Sequence, residues 1–165
     1  MSLFSFADSL AALAPRSAEE TVKKTLRFTE VWTNAASIAG TTALAEVVAG
    51  RVKQKGRLVG AAFIPSSAVT ANATNFFTLL VDKRTAAVPG TPVNLLTLAV
   101  DTVTTDDIAA FTAKELVGTT YATAAAATDY DFAENDTFTV EVTKTGGSGL
   151  AFPTGSLVLV FEGRD

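Results

Sequence analysis

Thr137-Phe-Thr-Val-Glu-Val-Thr-Lys-Thr145 alternates apolar and polar side chains with a period of two. That period marks a strand with one face on a core, here Phe138, Val140 and Val142, and the other towards water. Towards the C-terminus the next elements are a Gly146-Gly-Ser-Gly149 loop and a strand over Ser156–Phe161. Towards the N-terminus the same grammar recurs. Strands are expected over Val93–Val103, Asn75–Lys83, Arg57–Ile64 and Leu44–Val52, separated by Pro89/Gly90/Pro92, Pro65-Ser-Ser and Gly56. The connection Thr105–Leu116 carries Ile108, Phe111 and Leu116, which suits one or two helical turns. Short strands punctuated by Gly, Pro, Asn and Asp predict an all-β antiparallel sandwich. No helical run alternates with them, so a parallel βαβ sheet is not expected, and no internal repeat is found.

The front of the chain differs. Ser17-Ala-Glu-Glu20 has the spacing of a capping box, so a short helix is expected after Pro15. An extended segment follows, with Leu26, Phe28 and Trp32 on one side and Glu30 breaking the pattern; Asn34–Thr42 reads as a linker. Residues 1–40 are therefore taken as an N-terminal arm and 41–165 as the sandwich domain. The start, MSLFSFADSLAALA, lacks a basic region and is interrupted by Asp8, which argues against a signal peptide. The uncharged stretch Leu58–Val81 contains Pro65, Asn72 and Asn75 and reads as two strands and a loop, not a membrane span.

Composition narrows the function. The chain has no histidine and no cysteine, which removes the usual general base, thiolate nucleophile and zinc ligands. Its 29 Ala and 25 Thr go with only 18% charged residues, below the roughly 25% of an ordinary domain, so part of the surface is expected to be covered by another subunit. Residues 1–57 carry net +3 and residues 58–165 net −7; neither half has the basic, aromatic-laced patch that nucleic acid requires.

Three strands sharpen this expectation, because they are apolar on both faces. Val59 and Phe63 face away from Leu58 and Ile64, Phe76 and Leu80 from Phe77 and Leu79, and Val158 and Val160 from Leu157 and Leu159. A free antiparallel sandwich shows water a polar face, so these second faces are expected at subunit contacts.

The acidic run Asp129-Tyr-Asp131-Phe-Ala-Glu134-Asn-Asp136 has oxygen-rich spacing that suits Ca²⁺, but Ala133 stands where a third ligand belongs and no Gly makes the sharp turn. It reads as a solvated turn into the strand at Thr137. Asp106 and Asp107 have no second acid–base signal beside them, and Gly146–Gly149 lacks the Lys of a phosphate loop. No catalytic residue, cofactor or metal is assigned, and the chain is not expected to be an enzyme.

Arg57-Leu-Val-Gly-Ala-Ala-Phe-Ile-Pro65, Thr70-Ala-Asn-Ala-Thr-Asn-Phe-Phe-Thr78 and Val81-Asp-Lys-Arg84, with the Phe-Ala-Glu-Asn-Asp turn before Thr137, resemble tailed-bacteriophage head decoration (cement) proteins. The resemblance covers roughly residues 50–165. It implies a jelly-roll-like β-sandwich on the outer surface of the virion, the major capsid protein as partner, and a homo-trimer that clamps neighbouring capsid subunits. It also implies an arm reaching over the shell, for which Phe4, Phe6, Leu10 and Leu13 are the apolar anchors in this sequence. No membrane or nucleic-acid partner is implied. The alternative is a receptor- or glycan-binding head-fibre or tail-associated module, stacking sugars on Trp32, Tyr121 or Tyr130.

Overall fold

The computed structural model describes residues 26–163 apart from 89, 103, 104 and 125. The expected helix after Pro15 and the anchors Phe4, Phe6, Leu10 and Leu13 lie outside the described residues. Among the described residues, nine strands form two antiparallel sheets: β1 (Arg27–Asn34), β2 (Leu44–Arg51), β3 (Gly56–Pro65), β4 (Phe76–Arg84), β5 (Pro92–Ala99), β6 (Lys114–Glu115), β7 (Asp131–Phe132), β8 (Thr137–Thr145) and β9 (Gly155–Gly163). One sheet runs β1-β9-β3, with β6 and β7 on the two ends of the free edge of β3; the other runs β2-β8-β4-β5.

The pairing is nested. β1 pairs with β9, β2 with β8, β3 with β6 and β7, and β4 with β5. One long antiparallel ribbon is thus folded over itself, and the β3–β9 and β4–β8 ladders close it into two layers. This is jelly-roll topology, in which the chain crosses between the sheets at every step but two, β4 to β5 and β6 to β7, so that both layers bury one core.

Phenylalanine fills that core. Phe63, Phe77, Phe132, Phe138, Phe152 and Phe161 are fully buried. Phe152 stacks on Phe63 at 5.2 Å between ring centroids and meets Phe77 edge-on at 5.0 Å, so its ring touches both sheets. At the other end, Phe161 stacks on Phe28 and takes Phe132 edge-on, each at 5.1 Å. One charge crosses the layers: buried Lys83 of β4 donates to the carbonyls of Asp129 (2.5 Å) and Asp131 (3.0 Å), with its Nζ 5.5 Å from the Phe132 ring centroid.

Two expectations change. Arg27–Asn34, placed in the arm, is a full strand of the first sheet, because pairing with β9 supplies its backbone partners while Phe28 and Trp32 reach the core. Thr105–Leu116 has no helical turn among its described residues. Ile108 bridges to Val69, and Leu116 donates to the Ala61 carbonyl, so extended pairing takes the hydrogen bonds a helix needs.

Candidate subunit-contact surface

A register break decides which side chains β3 shows to solvent. Leu58 opposes Phe161 and Gly60 opposes Val160, so one extra residue, Val59, sits in a bulge. An extra residue inverts the alternation beyond it. Leu58, Ala61 and Phe63 consequently all face the core, while Gly60, Ala62 and Ile64 share the outer face. The expectation that Phe63 faces a neighbouring subunit is thereby corrected: it is fully buried. Val59 is half-buried at the bulge.

β9 needs no such correction. Leu157, Leu159 and Phe161 are buried, and Val158 and Val160 stand half-buried on the outside. Across the sheet, Val31, Val158 and Ala62 form one row, Thr29, Val160 and Gly60 a second, and Thr33, Ser156 and Ile64 a third. The three rows carry no charge and consist of small apolar side chains with the hydroxyls of Thr29, Thr33 and Ser156 among them, and Val31 is 55% exposed. Charges frame these rows on two sides: at one end Arg27 lies 3.8 Å from Glu162 and Arg57 lies 3.9 Å from Asp131, and along the edge of β3 the exposed Glu115 of β6 pairs with Ala62.

Phe76 and Leu80 lie elsewhere, half-buried on the outer face of β2-β8-β4-β5. Their neighbours are polar: Thr145 opposes Phe76, and Glu141 and Thr97 oppose Leu80. Arg84 holds Glu46 through Nε (2.7 Å) and Nη2 (2.5 Å), and Thr139 donates to the same carboxylate (2.5 Å). These bonds to Arg84 first, and to Thr139 next, pull the Glu46 carboxyl down to about 2. Asn94 donates to Asp82 (2.8 Å) and accepts from Thr97 and Thr123. The six residues marked in the sequence therefore fall in three places, and only Val59, Val158 and Val160 stand on the outside of the first sheet.

Sequence reasoning missed Phe111. The helical turn expected from the sequence groups it with Ile108 and Leu116; those two are buried, and Phe111 is 78% exposed with φ +57°. The signal lay in Ala109-Ala-Phe-Thr-Ala113, where one bulky apolar residue stands alone among small ones.

The aromatic residues considered for sugar stacking are occupied. Trp32 leans on Phe152 (6.5 Å), and the Tyr130 hydroxyl donates to the Leu95 carbonyl (3.4 Å). Tyr121 borders a cleft of about 350 Å³ lined by Thr97, Asp101, Thr102, Thr105 and Thr123. Its hydroxyl donates to buried Asp106, which also accepts from the Thr102 amide (2.9 Å) and has Lys114 Nζ at 3.9 Å. Burial, then the Asp106 carboxylate, pushes the Tyr121 phenol up to about 12. Asp106 also lines the cleft, with its carboxylate already bonded to the protein's own groups.

The acidic run closes turns. Asp136 accepts from the amides of Ala86 (2.8 Å) and Ala133 (2.9 Å), and Asp129 from that of Ala126 (2.8 Å). Among the described residues no three acidic, His or Cys side chains converge on one point.

Two solved structures of infectious bursal disease virus, of the Gx and Gt strains, are similar to the chain at 9% and 11% sequence identity. The similarity covers 84% and 85% of this chain and 32% and 34% of theirs, with TM-scores of 0.43 and 0.41. The chain spans about a third of the length of those chains. No family model and no curated protein matches it.

Proposed function

We propose that the chain is a structural virion protein, a decoration or cement protein that binds the assembled head of a tailed bacteriophage from outside and bridges its capsid subunits. The observation that carries this reading is the uncharged outer face of β1-β9-β3, built from Val31, Gly60, Ala62, Ile64, Val158 and Val160. A face of that kind on a jelly roll is suited to cover by another subunit. The mechanism is thermodynamic. A protein that bridges neighbours binds the shell and not its free parts, and so stabilises the shell by mass action. Trimers of the chain act as clamps, and Phe4, Phe6, Leu10 and Leu13 anchor the N-terminal segment to the major capsid protein. No catalytic step is assigned.

The test is co-sedimentation of the purified protein with phage heads that lack it, followed by thermal rupture of the heads. Saturable binding and a higher rupture temperature are expected. Heads that neither bind the protein nor gain stability sink the proposal.

The 350 Å³ hydroxyl-rich cleft beside Tyr121 favours one alternative, a glycan-binding module. A saturable glycan-array signal lost on Tyr121→Ala, with no binding to heads, supports that alternative.

A further inference from the structure

The chain enters the first sheet at its charged end. There the Leu26 carbonyl accepts from the Gly163 amide (2.6 Å), and Arg27, Glu162, Arg57 and Asp131 form one row across the outer face. The uncharged rows begin after it, at Thr29, Val160 and Gly60.

The residues that precede Leu26 in the sequence sort their charges in the same order. Arg16, Glu19, Glu20, Lys23 and Lys24 are nearest to Leu26 along the chain, whereas residues 1–14 have one charged side chain, Asp8. Within that stretch Leu3, Phe6, Leu10 and Leu13 recur at steps of three and four. This is the spacing of one helix face, and Asp8 falls on the opposite side of such a helix.

We propose that residues 3–13 cover the outer face of β1-β9-β3 of their own chain in the free protein, and that the capsid displaces them when the protein binds a head. This rests on the reading of the chain as a decoration protein and of that face as its contact. Folded back from Leu26, the charged part of the segment passes the charged row and the apolar part reaches the uncharged ones. Charge meets charge, and no ion is laid on the apolar rows.

Size selects this occupant. Three strands about 4.8 Å apart, each about six residues long, offer roughly 300 Å². Two separate proteins need roughly 800 Å² each for a stable pair, so the face alone does not hold a second copy. A segment of the same chain escapes that requirement, because its tether keeps it at an effective concentration of about millimolar. A helix over residues 3–13 is about 16 Å long and about 10 Å across. The rows from Thr29 to Thr33 run about 13 Å along β1. Laid along β9, the helix axis stays about 10 Å from Glu115, which lies beyond β3. Reach is sufficient too. Val31 is about 17 Å along the strand from Leu26, and the chain from Leu13 to Leu26 spans about 20 Å as helix and about 43 Å extended. A cover this small opens readily and yields to a larger interface, which the face and the released segment form together on the head.

The chain has no cysteine, so introduced pairs test this directly in the full-length protein. Leu10→Cys with Val158→Cys is expected to close a disulfide within one copy under mild oxidation. Leu10→Cys with Thr78→Cys, on the outer face of the other sheet, is expected to close at least about tenfold more slowly. Equal closure of the two pairs, closure of neither, or a disulfide joining two copies overturns the cover. The oxidised Leu10→Cys/Val158→Cys chain is then expected to bind heads that lack the protein about tenfold more weakly than the same chain after reduction. Equal binding of the locked and reduced forms overturns the displacement. Heads that bind neither form, nor the parent, sink the decoration role alone and leave the cover standing.

Discussion

On the outer face of β2-β8-β4-β5, Arg84 grips Glu46 and Thr139 caps the same carboxylate, while Asn94 gathers Asp82, Thr97 and Thr123. On the outer face of β1-β9-β3 the central positions are Val31, Val158, Val160, Ala62, Ile64 and a bare Gly60. Both faces belong to the same sandwich, and both are made of strands whose other side is buried. The first face ties its charged groups to one another, although it too shows apolar area, with Val48 69% exposed opposite Thr139. The second has only the hydroxyls of Thr29, Thr33 and Ser156 across its central rows and no charge among them, and it leaves apolar area in water, a condition that favours a partner. The edges differ too. β2 is irregular at two points of its ladder with β8, whereas β1 runs in unbroken register with β9 beside the apolar face.

The comparison requires two sheets on one core, and Phe152 is where that is tested hardest. Its ring touches Phe63 and Trp32 from one sheet and Phe77 from the other. Phe152→Ala is expected to cost about 3–5 kcal/mol in chemical denaturation, as large-to-small changes at buried aromatics do. A loss under about 1 kcal/mol means that the layers do not share this core.

Period-two alternation was enough to place the sandwich, because Thr137–Thr145 and Leu157/Leu159/Phe161 commit their faces unaided. What alternation cannot show is a bulge. Nothing in Leu58-Val-Gly60 announces the extra residue, and that residue sends Phe63 inward and Ile64 outward. Alternation is equally silent on whether Phe76 and Leu80 share a surface with Val158. Which sheet a strand joins is set by its distant partners, and β4 pairs with β5 and β8. Phe111 was hidden because its backbone is fixed by Pro65 and the Ile108–Val69 bridge, contacts between segments far apart in the chain.

A second, smaller break is Lys83. Its ammonium ties β4 to the carbonyls of Asp129 and Asp131 at the start of β7, and so links the polar sheet to the apolar one. Lys83→Met keeps the buried stem and strands two carbonyls, at an expected cost of about 1–3 kcal/mol. Denaturant midpoints of the two chains give the difference. No change means that water replaces the ammonium and the link is incidental.

The polar face also answers to pH. Glu46 titrates near 2 when folded, against an ordinary value of 4.5, because Arg84 and Thr139 hold its charged form. A lowered folded value contributes stability that is complete above pH 4.5 and is lost as pH falls towards 2. Acid titration of the melting temperature should therefore fall less steeply over that window in Glu46→Gln than in the parent. Parallel curves would show that the Arg84 contact adds nothing to the fold.

The smallest expected change in stability sharpens the comparison most. Thr78 and Thr143 oppose each other on the polar face, and Val158 and Val160 stand on the apolar one. Thr and Val have nearly the same shape and both suit strands, so exchanging them on a surface alters the fold little. Val158→Thr with Val160→Thr, and separately Thr78→Val with Thr143→Val, should each shift stability by no more than about 0.5 kcal/mol. Binding of an apolar fluorescent dye should fall in the first chain and rise in the second. If it falls in neither, the exposed area of β1-β9-β3 is not what distinguishes the faces, and the hydrogen-bonded web of Glu46, Arg84, Asp82 and Asn94 is left as the difference between them.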